Sequence, residues 1–226
     1  MKILAVDTAT NSCSVAVSNG ESLLAELTTV NHQTHSIHLL DMITTVLANA
    51  GLAFSDLEGF AVTVGPGSFT GLRIGISTIK GLALAAHKPV VGVSSLDVLA
   101  WQCAQSELMI CSLLDARKKE VYHARYRYGD GRLEKISQES ASAPLDALTD
   151  IQSPCIFVGS GADLYREVIQ SELSHLAHFA NRNHNTIRAA TVASLSADRF
   201  KSQQTDDVVQ LVPHYIRKSD TELGFN

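Results

Sequence analysis

Apolar positions change period several times along the chain, and each change marks an element. Residues 2–7 (KILAVD) alternate as a buried strand, 13–18 form a second, and Asn19-Gly20 supplies a favoured hairpin turn into 22–29. Three antiparallel strands therefore open the chain. Ile37, Leu40, Ile43 and Leu47, with Leu39 and Val46 beside them, then recur at helical spacing, and Gly51 is a stop signal, which predicts a helix over 34–50. Ala61, Val62 and Val64 give a short buried strand that breaks sharply at Gly65-Pro66-Gly67 and runs into a helix over 70–86. A strand at 89–93 and a helix over 95–105 complete a β-β-β-α-β-α-β-α order.

A second half begins near Leu108. Residues 109–114 read as a buried strand, 120–128 alternate, and Gly129-Asp130-Gly131 turns the chain into 132–138. Residues 140–154, rich in Ala, Ser, Pro and Asp, read as loop with a short helix at 145–148. A strand at 155–158 and helices over 162–170 and 189–200 follow. The polar tail from Asp206 carries Leu211, Val212, Tyr215 and Ile216, which would pin it to the body. Two successive halves that each open with antiparallel strands and then add helices predict a duplicated α/β architecture with a cleft between lobes. Clefts of that kind often take nucleotides.

Composition narrows the classes. A chain of 226 residues with 45% hydrophobic content has material for one large domain or two lobes, and two lobes fit the order better. The net charge of −5 gives no general attraction for nucleic acid, so an RNA role needs a partner or a local basic patch. Cys13, Cys103, Cys111 and Cys155 form no C-x-x-C pair, which argues against a zinc ribbon or redox motif and for reduced, buried thiols in a cytoplasmic protein. Neither a signal peptide nor an apolar run of membrane-spanning length is expected.

The chemistry concentrates at the strand, turn and helix over 62–81. Ser68 or Thr70 can cap the helix, whose first amides are unpaired and carry the positive end of its dipole. An anion could dock there, yet the turn has neither the Walker lysine nor the dinucleotide fingerprint, so a phosphate cradle and a turn that binds nothing both remain open. The helix carries only Arg73 and Lys80 as charges, so it is expected to be buried either all round or by a partner. Gly71 and Gly75, four apart, let another helix approach closely. His32, His35 and His38 are spaced three apart, whereas a helical metal pair is set four apart with an adjacent Glu, so a solvated or interface role is expected. Ser68 has no identifiable base, so no protease triad is formed.

The segments DTAT at 7–10, GPGSFTGLRIG at 65–75, GVSSLD at 92–97 and DARKKEVY at 115–122, with Tyr215 and Arg217 near the end, resemble the TsaB (YeaZ) family over nearly the whole chain. The resemblance implies a two-lobed α/β fold of the actin, sugar-kinase and heat-shock ATPase (ASKHA) type, each lobe a mixed sheet with flanking helices. It implies lobes at 1–106, carrying the partner-binding helices, and 107–226, whose last helix and tail pack back on the first. It also implies a non-catalytic partner of TsaD in transfer of the threonylcarbamoyl group to the adenosine beside the anticodon in tRNAs reading codons that start with A. TsaE would join through the TsaB–TsaD complex, tRNA would be met only in that complex, and the chain alone would form a homodimer.

The residues agree with an accessory role. TsaD carries two metal-binding histidines four apart where this chain has Ser95-Leu96-Asp97-Val98-Leu99, and serine and leucine cannot replace imidazoles. The second-lobe turn, expected to be glycine-rich in the superfold, is here Asp115-Ala116-Arg117-Lys118-Lys119, whose side chains would block a phosphate. No metal and no cofactor are therefore expected, and Asp7, Gly65, Gly67, Ser68, Asp115, Arg117 and Glu120 would be remnants of a nucleotide cleft. Asp7 could still hold a metal through water, and Gly159-Ser160-Gly161 could still pack near an adenine. Asp115, Arg117 and Glu120 read equally as an internal ion pair shaping the hairpin or as a partner contact. The partner face is expected to comprise His35, Leu39, Ile43, Leu47, Gly71, Leu72, Gly75, Ile76 and Ile79, completing a four-helix bundle with TsaD. The alternatives are an autonomous ASKHA-type ATPase or kinase and a metallopeptidase.

Overall fold

The computed structural model describes residues 1–30 and 35–217, with only the backbone of 35–37. These form two compact units, Met1–Val98 with Ile187–His214, and Leu99–Thr186 with 215–217. In the first, β1 (Lys2–Asp7), β2 (Ser12–Asn19), β3 (Ser22–Val30), β4 (Gly59–Gly65) and β5 (Val90–Ser94) make one mixed sheet in the order β3-β2-β1-β4-β5. The hairpin strands are antiparallel, while β1, β4 and β5 run parallel.

Every residue of β1 from Ile3 to Asp7 is buried, so this strand is covered on both faces, as its nearly continuous apolar run requires. Helices α1 (His35–Asn49) and α2 (Phe69–Ala86) cover one face, and α7 (Ala189–Lys201) covers the other. Strand parity separates them: a Cβ on Gly75 of α2 would lie 3.6 Å from Val62, whereas one on Gly59, at the opposite parity, would press on Phe200 of α7. Leu39, Met42, Ile43, Val46 and Leu47 are the buried stripe of α1, and Gly71, Leu72, Gly75, Ile76, Ile79 and Ala83 that of α2. Each large aliphatic side chain so buried contributes about 1.5–3 kcal/mol. The α2 helix starts because the Ser68 side chain accepts from Gly71 N, and it ends at His87, whose left-handed φ of 53° lets its N–H reach Ala83 and Leu84 carbonyls.

The segment after α7 straps onto the same unit. Asp206 takes the Gly92 N–H at 2.7 Å and pairs with Arg199 at 2.9 Å, while Lys80 Nζ donates to the carbonyls of Val209 (2.8 Å) and Leu211 (3.1 Å). His214 N–H donates to Val64 O at 2.7 Å. Leu211 is buried as expected, but Val212 faces solvent, because the strap is fixed by backbone acceptors and alternate side chains point away.

The second unit holds β6 (Met109–Arg117), β7 (Glu120–Gly129), β8 (Arg132–Lys135), β10 (Cys155–Val158) and β11 (Ala177–Phe179) in the order β11-β10-β6-β7-β8, with β9 (Ser140–Ser142) added to β7. Between units in sequence lies α3 (Ser95–Trp101), shorter than the expected 95–105. Helices α4 (Pro144–Ala147), α5 (Ser160–Leu164) and α6 (Arg166–Leu173) complete it. The core gathers Cys111, Leu113, Val121, Phe157, Ile169 and Leu173. The single helix expected over 162–170 is two, broken at Tyr165 with φ −107° and ψ 22°. Strand β9 lies in the stretch expected to be loop, since its three small residues, Ser-Ala-Ser, are too few to show a period and are ordered by pairing with 121–123.

Candidate functional site

The glycine-rich turn after β4 is shaped by what lies against it inside the protomer. A Cβ on Gly65 (φ 118°) would stand 2.8 Å from the His214 carbonyl, one on Gly67 would strike the Ala9 carbonyl, and one on Gly71 the Thr8 carbonyl. The chain's own backbone thus approaches each of these positions too closely for a side chain. Ser68 N–H donates to Ala9 O at 2.7 Å, and Thr8 Oγ1 donates to Gly71 O at 2.7 Å while sitting over Gly75. The turn joins the start of α2 to the end of β1.

Asp7 is fully buried at the centre of that junction. Its Oδ1 accepts from Thr63 Oγ1 (2.7 Å) and Ala9 N (3.1 Å), and its Oδ2 has no hydrogen-bond partner among the described residues. Burial pushes its carboxyl up to about 7 against those two hydrogen bonds. Burial, with the Asp7 charge adding to it, also pushes the Cys13 thiol up to about 12. Asp7 has no exposed surface, and its hydrogen bonds tie the end of β1 to β4 within the first unit.

In the second unit, the turn at Asp115 to Glu120 has been rebuilt. Arg117, Lys118 and Lys119 all have positive φ (59°, 52° and 63°), and Arg117 N–H is capped by Asp115 Oδ1 at 2.8 Å. The expected ion pair is corrected in its partner: Glu120 binds Arg217, at 2.6 Å, and not Arg117, since the bulge between Asp115 and Arg117 turns the latter outward. Arg217 was missed as a site residue, although Tyr215-x-Arg217 was visible as part of the pattern. Gly159 and Gly161 are small because a Cβ there would press on Leu113, and Gly159 N–H is held by Asn185 Oδ1 at 2.7 Å. Both glycines thus serve packing inside the second unit.

At the position of the paralogue's histidines, Ser95, Leu96, Val98 and Leu99 are all fully buried, and Ser95 Oγ has no partner. Among the described residues no three His, Cys, Asp or Glu side chains converge as metal ligands. His32 and the His35 side chain lie outside the described residues, and His38 is half-buried. Among those described, no helix is long and apolar enough to cross a membrane.

The residues expected at a partner face are placed differently. Leu39, Ile43, Leu47, Leu72, Ile76 and Ile79 are at most 8% exposed and pack on the first unit's own sheet, and Gly71 and Gly75 meet Thr8. Their apolar pattern was the core stripe of each helix. The outward faces are Leu40, Thr44 and Ala48 on α1 and Arg73, Ser77, Gly81 and Leu84 on α2.

Residues 23–225 match the family described as "TsaD: tRNA N6-adenosine threonylcarbamoyltransferase". The chain is 30% identical over 225 residues, covering 98% of this chain and 96% of the relative, to the tRNA threonylcarbamoyladenosine biosynthesis protein TsaB of Bacillus subtilis. Its structure is similar to YeaZ from Pseudomonas aeruginosa, with a TM-score of 0.79, 29% identity, and coverage of 95% of this chain and 99% of that one. Likeness of fold alone extends to (R)-2-hydroxyglutaryl-CoA dehydratase component A of Acidaminococcus fermentans, at a TM-score of 0.50, 11% identity, and coverage of 88% and 98%. Two mixed sheets with flanking helices, on these likenesses, make the fold ASKHA-like. A match of that length, with the DTAT, GPGSFTG and LDAR segments each at a structural junction, means that the chain belongs to the TsaB (YeaZ) family.

Proposed function

We propose that this chain takes part in threonylcarbamoyladenosine biosynthesis as a non-catalytic partner of a TsaD enzyme, which carries out the transfer to tRNA. The observation that supports the accessory role is internal packing: the glycines at 65, 67 and 71 face the chain's own carbonyls, and Ser95, Leu96, Val98 and Leu99 supply core side chains where the enzyme has ligands. A fold kept without its nucleotide site retains its helices as a surface. TsaE joins through the complex with TsaD, tRNA is met only there, and the chain alone pairs with itself through the same face.

That face is the outward side of α1 and α2. Leu40 and Leu84 are 57% and 52% exposed, and the small residues Ser77 and Gly81 are also exposed on α2. A Cβ on Gly81 would meet nothing within 4 Å, so this glycine has no packing role inside the protomer. Co-purification with the TsaD of the same organism on size exclusion tests the assignment. The wild-type chain co-elutes, and Leu40→Glu with Leu84→Glu abolishes the complex while the melting temperature stays within about 2 °C, as for surface changes. Co-elution of the double variant would remove this face from the account.

A further inference from the structure

The chain is acidic overall, yet it contains one run of three consecutive cations, Arg117-Lys118-Lys119. The run occupies the tip of the β6–β7 hairpin: Arg117 opposes Glu120, and Lys118-Lys119 form the two-residue connection. All three residues are exposed, and all three are left-handed. A two-residue connection with both φ values positive is the turn that Asn-Gly forms without strain, so lysines there carry a conformational cost that a short polar residue or glycine would remove. Successive left-handed residues with long side chains persist where the side chains themselves are used.

Local charge supports that use. Glu120 is held by Arg217 at 2.6 Å, and Asp115 Oδ1 is occupied by the Arg117 backbone N–H at 2.8 Å. Among the described residues, Arg117, Lys118, Lys119 and Arg217 stand with Asp115 and Glu120 at this end of the second unit, and neither the Arg117 nor the Lys119 side chain has a carboxylate partner. Screening confines the net charge of the rest of the molecule to about 8–10 Å at physiological salt, so a protruding tip acts on a ligand by its own charge. Exposed cations on long side chains at a hairpin tip suit contact with phosphates, which carry no sequence information.

We infer that the Arg117-Lys118-Lys119 tip docks on the phosphate backbone of RNA, namely the tRNA handled by the complex. This inference rests on the proposed function. An acidic surface on a partner protein is the competing ligand, and the test separates the two. Lys118→Asn with Lys119→Gly removes two charges and supplies the turn's favoured sequence, so the fold gains while the ligand contact is lost.

Unmodified tRNA carrying a fluorophore is titrated with the assembled complex of this chain and TsaD at several salt concentrations. For the double variant the melting temperature rises by roughly 2–4 °C. Its tRNA affinity falls about tenfold or more, and the slope of log affinity on log salt shrinks by about 2, one for each phosphate contact. Lys118→Arg with Lys119→Arg keeps both affinity and slope. Unchanged affinity and slope in the Asn-Gly variant would overturn the inference, and so would loss of TsaD association in place of tRNA binding, which assigns the tip to a protein. Failure of the wild-type chain to bind TsaD would count against the proposed function alone, and the same titration on the isolated chain at low salt would then read the tip by itself.

Discussion

Asp7 sets the tightest constraint at the scale of single residues. It lies where β1 ends and α2 begins, one oxygen satisfied by Thr63 and Ala9 and the other without a partner, with its carboxyl pushed up to about 7 by burial. Because the folded carboxyl holds its proton to higher pH than the unfolded one, whose ordinary value is 3.8, folding binds a proton between about pH 4 and 7. Stability is then lost as pH rises through that window, at up to about 1.4 kcal/mol per pH unit, and levels off above it. Asp7→Asn removes the slope. Denaturant titrations at pH 5, 6 and 7 check this, and an unchanged slope in the variant would mean that another group titrates. The same burial that raises this carboxyl withdraws it from solvent.

At the scale of elements, α2 shows how one sequence pattern carries two messages. Glycines four apart at 71 and 75 suggest close approach of a helix, and close approach is what they serve, but the neighbour is Thr8 at the end of β1. Gly81, one turn and a half further on, looks alike in sequence and faces open space. The two therefore respond oppositely to substitution. Gly75→Leu drives a side chain into Thr8 and costs about 3 kcal/mol or more, whereas Gly81→Ala gains about 0.5–1 kcal/mol from helix propensity alone. Urea unfolding of both variants measures the contrast, and a Gly75→Leu chain as stable as wild type would show that α2 can move off β1.

The element order of the first unit, its opening antiparallel strands, both long helices and the Ser68 cap were legible because hydrophobic period and turn chemistry agree there. Which side of α1 and α2 faces outward was not, since Leu39, Ile43, Ile76 and Ile79 would give the same period on a core or on an interface. The β9 strand and the break at Tyr165 were also hidden: the first is ordered by pairing with β7, and for the second the packed residues offer no physical account. The Glu120–Arg217 pair spans nearly a hundred residues of chain, a separation that no local pattern encodes.

On the scale of the whole molecule, glycines of both units serve contacts inside the chain. The glycine turn holds α2 to β1, Gly159 and Gly161 pack on Leu113, and the second-unit turn carries cations in place of glycines. What stays outward is a helical face with Leu40 and Leu84, and a basic hairpin tip. Both suit a protein that works by contact and not by turnover. The most direct measurement is therefore threonylcarbamoyl transfer to tRNA from threonylcarbamoyl-AMP, followed with purified TsaD and TsaE, with and without this chain, and with this chain alone. The account predicts product only when TsaD and this chain are both present, and none from this chain by itself. Product from this chain alone, or full transfer by TsaD and TsaE without it, would contradict the account.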